Sequence, residues 1–208
     1  MVAESVSFFY VHEGGWIKDE EAPLDLDAPG KIGPAVAAVA DLERQVLGAK
    51  GLEGVVLRFG WFYGPDTYIT PGGSQAEEVR KRRYPVVGEG NATFSFIHID
   101  DAAAATIAAL ERGEPGIYHV ADDAPARVAE WLPYLAQAVG AKPPRRIPAW
   151  LGRLVAGEVI VRMMTDVRGV SNEKAKWVLE WRPRWTTWRD GFRHALREPA
   201  TDRREAAA

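Results

Sequence analysis

Gly48, Gly51 and Gly54 stand at the Gly-x-x-Gly-x-x-Gly spacing that a phosphate-cradling loop can use. Such a loop needs a strand, then the glycine turn, then a helix whose free N-terminal amides meet the pyrophosphate. Here the order is reversed. A helical pattern precedes the glycines and the apolar run Val55-Val56-Leu57 follows them, so no helix N-terminus faces the turn. His12, His119 and His194 are scattered and no His-Glu-x-x-His occurs, so no metal site is expected. Gly-x-Ser-x-Gly is also missing, which leaves a hydrolase without its nucleophile turn. With no cysteine, disulfides, thiol nucleophiles and cysteine-metal sites are excluded. Asn91-Ala92-Thr93 matches a glycosylation sequon and is read as adventitious, and Arg80-Lys81-Arg82-Arg83 is read as a solvated helix end.

The chain that must position any remaining chemistry has 208 residues, 47% apolar and 26% charged. That length suits one α/β domain, or one with a small satellite, and is enough to bury a core. A net charge of −3, from 26 basic and 29 acidic residues, gives no footprint for DNA or RNA. No apolar run approaches the ~20 residues of a membrane span. Met1 to Phe9 lacks the basic flank of a signal peptide, so the chain is read as cytoplasmic with no membrane partner.

Val2 to Val11, rich in Phe, Tyr and Val, reads as a strand with almost no lead-in, so the chain is expected to begin inside a fold. A polar loop over 12–34 leads into helical spacing from Ala35 to Leu47 through Val36, Val39, Leu42 and Val46. Gly54 to Phe59 has the near-continuous apolar character of a buried parallel strand. A helix is expected over Gln75 to Arg82, then strands over Tyr84 to Val87 and Thr93 to Ile99. Asp100 or Asp101 is expected to cap an alanine-rich helix that Gly113 ends. Gly116 to Ala121 reads as the next strand, and Asp123-Ala124-Pro125 as the opening of a helix reaching Val139. Trp150 to Met164 and Asn172 to Glu180 read as helices, and Trp177, Trp181, Trp185 and Trp188 are expected to pin the last helices to the core. The alternation implies an α/β fold: a partial Rossmann-type parallel sheet with a smaller, mostly helical C-terminal lobe.

Three stretches resemble the extended branch of the short-chain dehydrogenase/reductase superfamily, the NAD-dependent epimerase/dehydratase family. Leu57-Arg58-Phe59-Gly60-Trp61-Phe62-Tyr63-Gly64-Pro65 is similar to its strand-and-turn signature ending in Tyr-Gly-Pro. Phe96-Ile97-His98-Ile99-Asp100-Asp101 is similar to its Phe-Ile-His-Val-Asp-Asp segment. Ser171-Asn172-Glu173-Lys174-Ala175-Lys176, followed by Leu179, Trp181 and Pro183, is similar to its closing pattern. Their order and spacing cover Val2 to about Phe192, the C-terminal two-thirds of such a protein. The resemblance implies NAD or NADP as cofactor for the complete fold and a small-molecule substrate between the lobes. It places Phe59, Gly60, Trp61 and Phe62 at the nicotinamide end of the cofactor site, and Tyr63, Phe96 and His98 nearer the substrate. It also implies a division in which 1–125 is what remains of the nucleotide-binding domain, with substrate-lobe segments interleaved at about 66–98. Residues 126–198 then form the substrate lobe and 199–208 a disordered tail.

The chain departs from that pattern at its chemistry. The family uses a Tyr as acid and base, its pKa lowered by a Lys one helical turn later. No Tyr here has a Lys four residues on. Counting back from Glu43 puts the two positions at Ala35 and Val39, neither of which moves a proton. Ser5 stands near the family's assisting Ser and Tyr10 is the nearest alternative proton donor, so these two are the catalytic candidates. Phe94 occupies the position where sugar-nucleotide members hold a diphosphate with Arg, which argues against such a substrate. Three functions remain: an epimerase/dehydratase-like oxidoreductase fragment, truncated and inactive alone; a non-catalytic binder of NAD(P) or a small molecule; or a subunit completed through the edge of its first strand, by a second copy or another chain.

Overall fold

The computed structural model describes residues 1–196. The expected tail beyond Pro199 lies outside them. Among the described residues the first strand, β1, is Val2–Val6, β2 is Ile17–Lys18, α1 is Ile32–Leu47 and β3 is Val55–Phe59. β4 (Trp61–Tyr63), α2 (Ser74–Arg80), β5 (Val86–Val87), β6 (Thr93–Phe94) and β7 (Phe96–His98) follow. Then come α3 (Ile99–Arg112), β8 (Gly116–Val120), β9 (Ala126–Arg127) and α4 (Val128–Ala138). The chain closes with β10 (Arg146–Ile147), α5 (Ala149–Thr165), β11 (Gly169–Val170), α6 (Glu173–Val178) and α7 (Trp188–Ala195).

The expected parallel partnership is present. β1, β3 and β8 form a parallel sheet in the order β1-β3-β8, with Val2 opposite Val55 and Val55 opposite Gly116. Parallel pairing requires helical crossovers, and α1 carries the chain from β1 to β3, as the 3.6-residue spacing predicts. β3 is buried along its whole length, including Arg58. On one face the alanines of α3, Ala102, Ala105, Ala108 and Ala109, let that helix approach β3 and β8 closely, with Leu179 and Trp181 completing the layer.

A second core collects Tyr63, Phe94, Phe96, Trp131, Trp188 and Phe192 with Val86, Val87 and Met164, drawing on both the 61–96 region and the C-terminal helices. Aromatic edges meet faces throughout it, as with Phe96 and Phe192 at 5.1 Å and 78°. Of the four tryptophans expected to pin the last helices, Trp188 (0% exposed) and Trp181 (4%) are in cores. Trp185 packs at the margin. Trp177 is 85% exposed and pins nothing, because its helix turns the adjacent Ala175 inward instead.

Several element boundaries differ from expectation for identifiable reasons. β1 stops at Val6, where Ser7 N–H bonds the Phe59 carbonyl and the chain leaves the sheet; Tyr10 makes only an isolated bridge to Leu24. Neither Asp100 nor Asp101 caps α3. The cap is His98, whose Nδ1 accepts from Asp100 N–H at 3.1 Å. Asp101 is buried, and its two oxygens accept the backbone N–H groups of Arg184 and Trp185, each at 2.9 Å. The stretch after Asp123 does not start a helix at once, because Ala126–Arg127 pairs antiparallel with β6 before α4 begins. α5 is broken at Gly157, whose φ of 84° a side chain would resist.

Candidate functional site

Two cavities lie beyond the carboxyl ends of β1 and β3, where ligands of open α/β sheets bind. They share one wall residue, Phe8, which stacks on Trp61 with ring centroids 4.9 Å apart. The first, about 620 Å³, is lined by Phe59, Gly60, Trp61 and Phe62, with Ser5 and Val6 of β1 and the 66–68 turn. Gly60 is required where β3 hands over to β4, since a Cβ there would lie 2.6 Å from the Ser95 carbonyl oxygen. Trp61 Nε1 is buried in this wall without a hydrogen-bond partner among the described residues, a donor facing no acceptor of the chain. The sequence reading placed all four of these residues together, and the structure brings them to one cavity.

The second cavity, about 280 Å³, is walled by Phe8, Phe9, Tyr10, Val36, Val159, Met163 and Val167. Ala35, eight residues before Glu43, lines it too and offers this space only a methyl group. Its polar rim is His12, Asp25, Lys31 and Arg162. Arg162 Nη2 donates to His12 Nδ1 at 3.0 Å and to Asp25 Oδ2 at 3.3 Å. Burial and the neighbouring Arg162 charge hold His12 below its ordinary pKa. None of these four was singled out for chemistry from the sequence. One signal was available, in that Arg162 interrupts the apolar run Val159-Ile160-Val161 and Met163-Met164.

Ser5 and Tyr10 sit in a buried polar network. Ser5 Oγ donates to Glu43 Oε1 at 2.6 Å. Arg58 grips the same carboxylate with two nitrogens, Nε at 2.8 Å and Nη2 at 2.6 Å, while its Nη1 donates to the Tyr10 hydroxyl at 2.6 Å. Tyr10 in turn hydrogen-bonds His119 Nε2. His119 Nδ1 lies 3.0 Å from the Ser171 carbonyl, which can only accept, so the proton is on Nδ1 and Nε2 accepts from Tyr10. The donors therefore run in one direction, Arg58 to Tyr10 to His119 to Ser171. Burial raises the Tyr10 pKa further above its ordinary value, outweighing Arg58. Burial also lowers that of His119 to about 3. Burial works against the Arg58 charge, but the Glu43 hydrogen bonds overcome it and hold the guanidinium above its usual pKa.

Tyr63, Phe96 and His98 are placed elsewhere. All three are buried in the wall between β4, β7 and α7, at 0%, 1% and 2% exposure, and none lines either cavity. Gly48, Gly51 and Gly54 follow α1 and precede β3, as read from the sequence. Among the described residues no group of three or more His, Cys, Asp or Glu side chains is placed to hold a metal, and no helix is long and apolar enough to cross a membrane.

Residues 35–121 match the NAD dependent epimerase/dehydratase family. A 3-diazoavenalumate denitrifying reductase from a Streptomyces species is 42% identical over 193 residues, covering 92% of this chain. The chain spans 63% of that relative's length. Human epimerase family protein SDR39U1, solved with NADPH, superposes with a TM-score of 0.73 at 19% identity over 95% of this chain and 65% of its own. DesIV, a dTDP-glucose 4,6-dehydratase from Streptomyces venezuelae solved with NAD and TYD, gives 0.68 at 21% identity over 94% of this chain and 58% of its own. At those identities the two structures speak for the fold alone. The parallel sheet, the Phe59–Phe62 turn beyond it and the reductase relative agree with the match of residues 35–121 to the NAD-dependent epimerase/dehydratase family.

Proposed function

We propose that this chain forms the nicotinamide and substrate side of an NAD(P)-dependent reductase whose acceptor takes a hydride without a proton. The observation that supports it is the pair of cavities meeting at Phe8, with Ala35 rather than an acid on the substrate side. A bound reduced nicotinamide supplies the hydride. Phe59, Gly60, Trp61 and Phe62 would hold that ring. Phe8, Phe9 and Tyr10 form the face against which the acceptor lies and exclude water from it. Ser5 and Tyr10 take no part in proton transfer, since both are committed to the Glu43 and Arg58 network. Tyr63, Phe96 and His98 hold the wall behind.

An aryl diazonium is an acceptor of the required kind. It takes up hydride at carbon and the carbon–nitrogen bond breaks to release dinitrogen, with no proton added, while the nicotinamide is oxidised. A relative named for denitrifying a diazo compound makes this class the one to try first.

The described residues contain no strand, glycine turn and helix in the order that holds a pyrophosphate. Reduced nicotinamide mononucleotide and NADPH are therefore expected to quench tryptophan fluorescence with affinities within about threefold of each other. Both are expected to reduce benzenediazonium faster with the protein than without it, and Trp61→Ala is expected to abolish the difference. Saturable binding of small aromatic molecules with no binding of either nicotinamide donor would overturn this reading. It would favour instead a non-catalytic binding module, for which Ala35 and Val39 already speak.

A further inference from the structure

The cavity beside Ala35 has one charged end. Its walls are aromatic and aliphatic, from Phe8 and Phe9 on one side to Val159 and Met163 on the other. Two cations, Lys31 and Arg162, line it against a single carboxylate, Asp25. One guanidinium nitrogen of Arg162, Nη2, serves both His12 and Asp25, which fixes the side chain and leaves Nη1 with no hydrogen bond among the described residues. Lys31 stands at the start of α1, whose first turn carries no acidic residue. His12 accepts from Arg162, so it is neutral on that side and adds no compensating negative charge. Arg162 is paired with Asp25 and, through Nε at 3.8 Å, with Asp166, so among the described residues Lys31 is the cation at the mouth of this apolar slot without a carboxylate partner.

From this we infer that Lys31 and Arg162 form a subsite for the carboxylate of a flat apolar substrate, whose ring lies against Phe8 and Phe9. Resting on the reductase reading, it adds the class of molecule accepted: an aromatic monocarboxylate. A diphosphate carries more charge than the single uncompensated cation balances, whereas one carboxylate matches it. Asp25 then has a defined role, holding Arg162 in place while reducing its pull on the ligand.

The test uses two ligands of one shape, 2-naphthoate and its uncharged amide, 2-naphthamide, titrated into the chain by calorimetry with no nicotinamide present. The acid is expected to bind more tightly than the amide. Lys31→Gln and Arg162→Gln are each expected to weaken the acid about tenfold and to leave the amide within about twofold, while Lys31→Arg keeps the acid bound. Asp25→Asn is expected to tighten the acid severalfold, an effect that loss of structure would not produce. Lys31 is exposed, so its variant reports on the site even if Arg162→Gln unfolds. Equal weakening of acid and amide, indifference of the acid to Lys31→Gln, or no binding of either ligand would overturn the assignment. Since no hydride donor is present, such a failure is separate from failure of the reductase reading.

Discussion

Acid should unfold this protein through His119. The imidazole is 0% exposed, donates from Nδ1 to the Ser171 carbonyl and accepts at Nε2 from Tyr10. A second proton would have to sit on Nε2, facing a hydroxyl oxygen that already receives Arg58 Nη1. Burial, with the Arg58 and Lys174 charges adding to it, lowers the folded-state pKa to about 3, against about 6.5 in the unfolded chain. Below about pH 6.5 the unfolded state binds a proton that the folded state refuses, so stability falls as pH falls and levels off only near pH 3. The slope is about 1.4 kcal/mol per pH unit, which between pH 6.5 and pH 5 costs about 2 kcal/mol. In that window the buried carboxyls of Asp122 and Glu20, which burial holds above the ordinary range, act in the opposite direction, so the His119 contribution is read as the difference between wild type and a His119 variant. Urea unfolding at pH 5, 6 and 7 measures the slope in wild type and in His119→Gln, whose amide can still donate and accept. The slope of the variant is expected to lie below that of wild type by about 1.4 kcal/mol per pH unit under pH 6.5, while the contributions of His12 and Asp122 are common to both proteins. Equal slopes in the two proteins would refute the reasoning, as would an imidazole NMR titration placing His119 near 6.5.

Removing one partner of the Arg58–Glu43 pair, whose side chains are 4% and 6% exposed, leaves an uncompensated buried charge. Arg58→Met is expected to cost about 3–5 kcal/mol in urea unfolding, and the double variant with Glu43→Leu to recover much of it; a single-variant cost below about 1 kcal/mol would count against the network. Asp122 is 1% exposed, with Oδ1 accepting from Ala124 N–H at 3.0 Å and Oδ2 without a partner. Burial holds its carboxyl well above the ordinary range, so the folded state becomes progressively less favoured as pH rises from the unfolded value near 4. Asp122→Asn is expected to match wild type in melting temperature near pH 4 and exceed it at pH 8, and a constant difference across that range would contradict this.

Much of the fold was legible because its signals are local. The apolar run at Val55 to Phe59 and the helical spacing before it required a parallel crossover, and β1 paired with β3 accordingly. The turn after β3 was legible for the same reason, since Phe59 to Phe62 are consecutive and leave one strand end. The polar rim of the second cavity was not. It joins His12, Asp25 and Lys31 from the loop after β1 to Arg162, well over a hundred positions later, and no periodicity links them. His98 shows a motif histidine put to structural use. A histidine in a motif reads as chemistry, but the backbone N–H of Asp100 at the start of α3 needs an acceptor and the imidazole supplies it.

The buried network ties up the hydroxyls of both Ser5 and Tyr10. A proton donor must be able to release its proton toward the substrate and recover it. Tyr10 lines the cavity, yet its hydroxyl is held by Arg58 on one side and spends its proton on His119 on the other. Releasing that proton elsewhere would leave Nε2 of a buried imidazole unsatisfied, at a cost of about 1–3 kcal/mol, before counting the raised pKa of the phenol itself. Ser5 is tied to Glu43 in the same way. Ser5 and Tyr10 are thus spent on joining α1 and β3 to β8, which agrees with the proposed chemistry, in which neither supplies a proton.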